Sequence, residues 1–298
     1  MIMTIAIAAA VLIVIVIICI GIAGYVGWNL THPEKKPLTD SPANYGLSYE
    51  EIQFPSKTGE VQLKGWFLPT TQAEPKMTIL FAHGYSVNRL QDNVPALLLA
   101  RSLNEAGYPV VLFDFRNSGE SEGSVTSVGQ LEKDDLLGAV DWVKSNHPGR
   151  IGVVGFSMGA SAAIMAAAEE EAIAGVVADS PFNHLTEYLK ENLSIWSDLP
   201  HFPFTKLILL LLPRITGLDP DQVDVVSATD RVYPRPILFI HSTDDDKTPC
   251  IHSEKMWEKH PDRFELWKPA GGGHVGSYPY DPKEYTRRVI SFLDALQG

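Results

Sequence analysis

Apolar and polar positions follow three different rules along this chain. From Ile2 to Trp28 the sole polar side chain is Thr4, so a helix here has no face to offer to water. These 27 residues would reach about 40 Å as a helix, against a bilayer hydrocarbon core of about 30 Å. Tyr25 and Trp28 close the run, where amphipathic rings favour the headgroup zone, and Pro33 stops the helix before Glu34, Lys35 and Lys36. The pattern predicts a transmembrane anchor over residues 2–28. A cleaved secretory signal would open on positive charge and carry an apolar core of about 7–15 residues. A lipoprotein signal would place small residues before its cysteine, yet Cys19 follows Val16, Ile17 and Ile18. Residues 29–50, with Pro33, Pro37, Pro42 and Gly46 among polar neighbours, read as a juxtamembrane linker.

The folded domain is expected over 51–298. Glu51–Pro55 and Val61–Leu68 flank a Ser-Lys-Thr-Gly turn and alternate as the strands of a half-buried antiparallel hairpin. Beyond Met77 the apolar residues come in unbroken short runs: Thr78–Ala82, Pro109–Phe113, Ile151–Gly155, Ile173–Ala178, Ile237–Ile240 and Phe264–Trp267. Helix-length segments separate most of them, among them Val94–Ala106, Leu131–Ser145, Gly159–Glu171 and Tyr285–Leu296. Continuous runs belong to strands covered on both faces, so the fold class is α/β with a mainly parallel central sheet. One interval is too long for a simple crossover, about 54 residues between Phe182 and Ile237. Roughly 183–225 is read as a helical cap inserted over the sheet's carboxyl edge. Its stretch Leu207–Leu212, closed by Pro213, fits three uses: packing on the domain, lining an acyl pocket, or touching a bilayer. It is too short for a second span.

Composition changes this picture by dividing it. The chain has 298 residues and a net charge of −12, and no Asp, Glu, Lys or Arg precedes Glu34. An acidic surface argues against a nucleic-acid partner. Lys35 and Lys36 follow the span and nothing basic precedes it, which by the positive-inside rule puts the domain on the cytoplasmic side. Of two cysteines, Cys19 lies in the span and Cys250 in the domain, so no intrachain disulfide is expected and the redox compartment stays open.

The candidate chemistry begins at Gly155-Phe156-Ser157-Met158-Gly159. A strand enters this G-x-S-x-G and a helix of small residues leaves it, so a sharp turn lifts Ser157 out of the sheet beside a helix N-terminus. A serine hydroxyl needs a base to take its proton, and the base needs an acid to fix its tautomer. Of nine histidines, His274 follows the last strand in Gly271-Gly272-Gly273-His274 and precedes the final helix. The acid is expected after Ile237–Ile240, where Asp244, Asp245 and Asp246 are consecutive.

With these residues, about 50–298 resembles an α/β-hydrolase, with catalytic motifs similar to those of prolyl-oligopeptidase relatives. The interval before the first parallel strand is too short for the propeller those relatives carry. The resemblance implies an oxyanion hole formed by the N–H groups of Tyr85, after His83-Gly84, and Met158. It treats Asp114-Phe115-Arg116-Asn117-Ser118-Gly119-Glu120-Ser121 as loop architecture, with Asn117 in place of a usual glycine. The acid loop aligns with His241-Ser242-Thr243-Asp244-Asp245-Asp246-Lys247-Thr248-Pro249, a register that selects Asp245. The implied activity is a serine hydrolase of the carboxylesterase or lipase kind, acting through Ser157, His274 and Asp245 on a small-molecule ester, lipid-like esters among them. It needs no cofactor, and no His-Glu-x-x-His or paired-cysteine motif suggests a metal. A thioesterase or acyltransferase would use the same triad, and a non-catalytic binding module could occupy the same scaffold.

Overall fold

Each unbroken apolar run becomes a strand, and all but the last, Glu265–Trp267 at the sheet edge, are buried over most or all of their length. A computed structural model describes residues 1–92 and 94–297; Gly298, where the expected domain ends, lies outside the described residues. The strands are β1 (Glu50–Pro55), β2 (Gln62–Leu68), β3 (Thr78–Ala82), β4 (Val110–Phe113), β5 (Ile151–Phe156), β6 (Ile173–Asp179), β7 (Ile237–Ile240) and β8 (Glu265–Trp267). Among the described residues they form one eight-stranded sheet in the order β1-β2-β4-β3-β5-β6-β7-β8. β1 pairs with β2, and β2 with β4, antiparallel; the remaining neighbours are parallel. β3, β4, β5 and β7 are buried along their whole length, whereas edge strand β1 alternates exposed and buried positions. The helices are α1 (Ile2–Thr31), α2 (Ala96–Glu105), α3 (Glu132–Asn146), α4 (Met158–Ala167), α5 (Leu185–Ser197), α6 (His201–Thr216), α7 (Val225–Val232), α8 (Ile251–Trp257), α9 (Ser277–Tyr280) and α10 (Pro282–Ala295). Residues of α3, α4, α7 and α8 pack on one face of the sheet, and those of α2, α9 and α10 on the other. This is the α/β-hydrolase fold.

Local chemistry sets the helix ends. α3 carries Glu132, Asp134 and Asp135 in its first turn and Lys144 in its last, as its dipole favours. Asp281 accepts the Glu284 N–H to cap α10, and Pro282 holds the first helical position, where its missing N–H costs nothing. Leucine-rich α6 does not stop at Pro213. It runs through to Thr216 and ends at Gly217 in the left-handed conformation, because a proline this close to the end removes only one helical hydrogen bond.

Between β3 and β5 the strand order reverses, which opens a crevice at the carboxyl ends of the sheet. Of the expected cap, α5 borders that crevice and α6 packs against α5 and α1. α1 is long and apolar enough to cross a membrane. Its last turns lie against α6, with Ala23, Gly27 and Thr31 buried on one face at four-residue spacing. Of the expected linker 29–50, residues 29–31 belong to α1 and Glu50 opens β1, and residues 32–49 run along the body of the domain. Asn117 Nδ2 donates to the Pro33 carbonyl (3.2 Å), Lys35 Nζ to the Ser121 carbonyl (2.6 Å) and Asn88 Nδ2 to the Pro37 carbonyl (3.0 Å).

Candidate active site

β5 delivers Ser157 at the carboxyl edge in a strained conformation, φ 51° and ψ −115°. A non-glycine residue held there costs about 1–3 kcal/mol, which the surroundings must impose. They do so by crowding: a Cβ on Gly159 would lie 2.1 Å from the Ala82 carbonyl oxygen, and one on Gly155 would lie 2.6 Å from Ala160 Cα. Only glycine on both sides lets α4 begin this close to the sheet. The Ser157 N–H donates to the Asp179 carbonyl at 2.8 Å, which ties the turn to β6.

His274 arrives on the loop after β8, with its Nε2 2.9 Å from Ser157 Oγ and its Nδ1 2.8 Å from Asp245 Oδ2. The expected serine, histidine and central aspartate are therefore in one hydrogen-bonded line. Asp245 Oδ1 accepts the Lys247 and Thr248 N–H groups, at 3.0 and 2.8 Å. His241 Nε2 stands 3.3 Å from Asp245 Oδ2 and 2.6 Å from the Thr248 carbonyl. A carbonyl only accepts, so that nitrogen carries the proton. Burial alone would push the Asp245 carboxyl up, but hydrogen bonds from His241 and His274 hold it well below the usual carboxylate range. The ionised carboxylate makes His274 Nδ1 the donor and leaves the Nε2 lone pair facing the serine hydroxyl.

The neighbouring acids have different placements. Asp244 is a tether rather than a free loop carboxylate: its Oδ1 accepts the Gly273 N–H at 2.8 Å and the Ser242 hydroxyl. It thus fixes the backbone next to His274. Asp246 stands at the cavity rim beside Lys247.

Behind His274 lies a group that sequence patterns did not single out. Val275 N–H donates to Ser180 Oγ (3.2 Å), Ser180 Oγ to Asp179 Oδ1 (2.9 Å), and the Tyr285 hydroxyl to Asp179 Oδ2 (3.1 Å). Burial pushes the Asp179 carboxyl up to about 6, against these hydrogen bonds. The available signal was the polar pair Asp179-Ser180 closing an apolar strand at the sheet's carboxyl edge.

The loop after β3 is fixed from both sides. His83 Nε2 accepts the Phe115 N–H at 3.0 Å, so its Nδ1 holds the proton and donates to the Gly84 carbonyl at 2.8 Å. Burial lowers the His83 pKa, consistent with this neutral ring. Gln91 Oε1 takes the Gly84 N–H at 2.6 Å. Tyr85 and Met158, the expected oxyanion-hole residues, line the same cavity as Ser157 and His274. Met158 opens α4, where helix geometry gives backbone N–H groups no partner within the helix. The Asp114–Ser121 loop is architectural: Asp114 pairs with buried Arg89 at 2.6 Å, and Asn117 sits at φ 55°, where a glycine is usual.

The cavity has a volume of about 580 Å³, within the range of small-molecule sites. Leu30 of α1, Phe182, and Leu189, Leu193 and Trp196 of α5 make its apolar side. The Tyr85 hydroxyl, its pKa pushed up to about 12 by burial, donates to the Leu30 carbonyl at 2.8 Å. Among the described residues no group of three or more His, Cys, Asp or Glu is placed to hold a metal ion.

Comparison with known proteins agrees with the fold and narrows the chemistry. Residues 64–272 match the family described as X-Pro dipeptidyl-peptidase (S15 family). An uncharacterised protein of Bacillus subtilis, YqkD, is 31% identical over 270 residues, covering 88% of this chain and 86% of that protein. The solved structure of the Pyrococcus furiosus esterase Pf2001 superimposes with a TM-score of 0.74 at 28% identity, over 89% of this chain and 100% of that one. The lysophosphatidylserine lipase ABHD12 of Danio rerio is 26% identical over 200 residues, spanning 65% of this chain and 49% of that protein.

Proposed function

Because the chain belongs to the S15 family of α/β-hydrolases, we propose that it is a serine hydrolase cleaving carboxylic esters through an acyl-enzyme. The observation that carries this reading is the line Ser157–His274–Asp245, with contacts of 2.9 and 2.8 Å at the floor of an open cavity. Ser157 Oγ attacks the ester carbonyl carbon as its proton passes to His274 Nε2. The tetrahedral oxygen takes its charge against the N–H groups of Tyr85 and Met158, each worth about 3 kcal/mol of transition-state stabilisation. Collapse breaks the bond to the leaving alcohol, which departs with the proton from His274. Water, deprotonated by the same nitrogen, then releases the acid and restores Ser157. Asp245 keeps Nδ1 protonated throughout. No resident cofactor enters these steps.

Ester rather than peptide cleavage is supported by the apolar side of the cavity and by likeness to the Pyrococcus furiosus esterase. A thioester or an acceptor alcohol would engage the same three residues. We read α1 as an uncleaved single-pass anchor, since its end supplies a wall of the cavity, and the Lys35 and Lys36 flank favours a cytoplasmic domain. The test is a fluorophosphonate probe together with two chromogenic substrates. Wild-type protein should label and Ser157→Ala should not, and p-nitrophenyl butyrate should turn over faster than glycyl-prolyl-p-nitroanilide. No labelling would leave a non-catalytic module, and the reverse substrate order would make the protein a peptidase.

A further inference from the structure

The apolar side of the cavity and the packed face of α1 are one surface. Leu193 of α5 lines the cavity and also packs with Ala23 of α1 and Ile208 of α6. Leu30, one turn beyond Val26, reaches the cavity from α1 itself. Small residues on α1 permit this: Ile208, Leu212 and Ile215 of α6 come within 4 Å of the place a Cβ on Gly27 would occupy, the close approach that small residues allow between membrane helices.

The length of α1 fixes the level of that surface. From Ile2 to Ile22 its large side chains are exposed, a stretch of about 30 Å that matches the hydrocarbon core. Burial against the domain begins at Ala23, and Tyr25 and Trp28 mark the headgroup zone. α6, lying beside Ala23–Thr31, is thereby held at that zone and not within the hydrocarbon. Its outward face suits the position: Leu210 is 53% exposed with Lys206 and Arg214 exposed beside it, Phe202, extended where the helix kinks near its start, is 83% exposed, and α6 contains no Asp or Glu in a chain of net charge −12. Basic and apolar side chains together on one outward face are how a helix seats on an anionic bilayer surface.

The geometry points to α6 and the end of α1 forming one bilayer-seated surface, through which the cavity takes an ester-bearing amphiphile directly from the leaflet. The acyl chain enters along Leu30, Leu193 and Trp196, and the ester reaches Ser157 without passing through bulk water. This rests on the ester-hydrolase reading above, and the test separates the two.

Full-length protein is reconstituted in vesicles of phosphatidylcholine with phosphatidylglycerol and given p-nitrophenyl butyrate from water or p-nitrophenyl palmitate dissolved in the bilayer. The double variant Phe202→Glu, Leu210→Glu should leave butyrate turnover unchanged and lower palmitate turnover about tenfold, because the exposed face no longer seats. Equal effects on both substrates, or a wild type that hydrolyses butyrate but not palmitate, would overturn the inference. A second measurement does not depend on catalysis. An NBD fluorophore on Phe202→Cys, in a Cys19→Ser, Cys250→Ser background, should be quenched by shallow doxyl lipid; quenching by aqueous iodide alone would refute the seated surface. If the fluorophore is lipid-quenched while neither ester turns over, the surface stands and the hydrolase reading fails.

Discussion

The floor and the roof of the cavity are built by opposite means. On the floor, at the carboxyl ends of the sheet, directional bonds hold the residues around His274: Asp245 is fixed by two backbone N–H groups, Gly273 by Asp244, and Val275 by Ser180. In the roof, α1, α5 and α6 meet mainly through apolar contact, with Ala23, Leu193 and Ile208 at its centre. Directional bonds fix an atom to a few tenths of an ångström, which general-base catalysis requires, whereas apolar packing sets shape without dictating a single pose. The difference predicts that damage to the floor appears in kcat and damage to the roof in KM.

The largest effect should come from the floor. Ser157→Ala is expected to lower kcat on p-nitrophenyl butyrate by about 10⁶, the loss found when a triad serine is removed from subtilisin; steady-state kinetics with retained folding by circular dichroism checks it. Asp245→Asn should cost about 10⁴, as at the corresponding acid of trypsin-like enzymes. Asp244→Asn, whose amide oxygen can still accept the Gly273 N–H, should stay within about tenfold of wild type. Comparable losses at both positions would mean that the loop, and not the Asp245 carboxylate, holds His274.

Roof damage comes next. Leu193→Ala should destabilise the protein by about 2–3 kcal/mol in denaturant unfolding and raise KM for p-nitrophenyl octanoate more than for the acetate. An equal fall in kcat for both esters would erase the division between floor and roof. The smallest effect is in pH dependence. Asp179 titrates at about 6 in the fold and at an ordinary 3.8 when free, so the folded state holds its proton more tightly. Stability contributed by that proton is complete below the ordinary value and is lost as pH rises through about 6. Asp179→Asn keeps an acceptor for Ser180 and should flatten this loss, worth roughly a few degrees in Tm between pH 4 and 6.

Sequence patterns reached the floor more fully than the roof. Thr78–Ala82 and Ile237–Ile240 have the boundaries that the apolar runs predict because every residue of each strand is buried. Ser157 stood out because its turn has a local reason, strand before and helix after. Asp244 is legible as an acid but not as the tether of Gly273, because the triad pattern assigns a partner to Asp245 and none to its neighbours. The docking of α1 on α6 was equally hidden. A helix apolar on every side carries no periodicity to reveal which face meets protein, and only the small residues Ala23 and Gly27 hinted at it.

The Tyr85 hydroxyl on the Leu30 carbonyl makes α1 something other than a tether. With α1 in a bilayer, the height of Ser157 above the lipid would be set by the packing of Ala23–Thr31 on α6 and by the hydrogen bonds that hold residues 32–37 on the domain. Inserting one residue between Ile22 and Ala23 would shift the domain by about 1.5 Å and turn its packing face by about 100°, so depth and heading cannot be adjusted separately. On the proposed anchoring, the chain would act as a gauge that holds the Ser157 hydroxyl at one distance from the membrane plane.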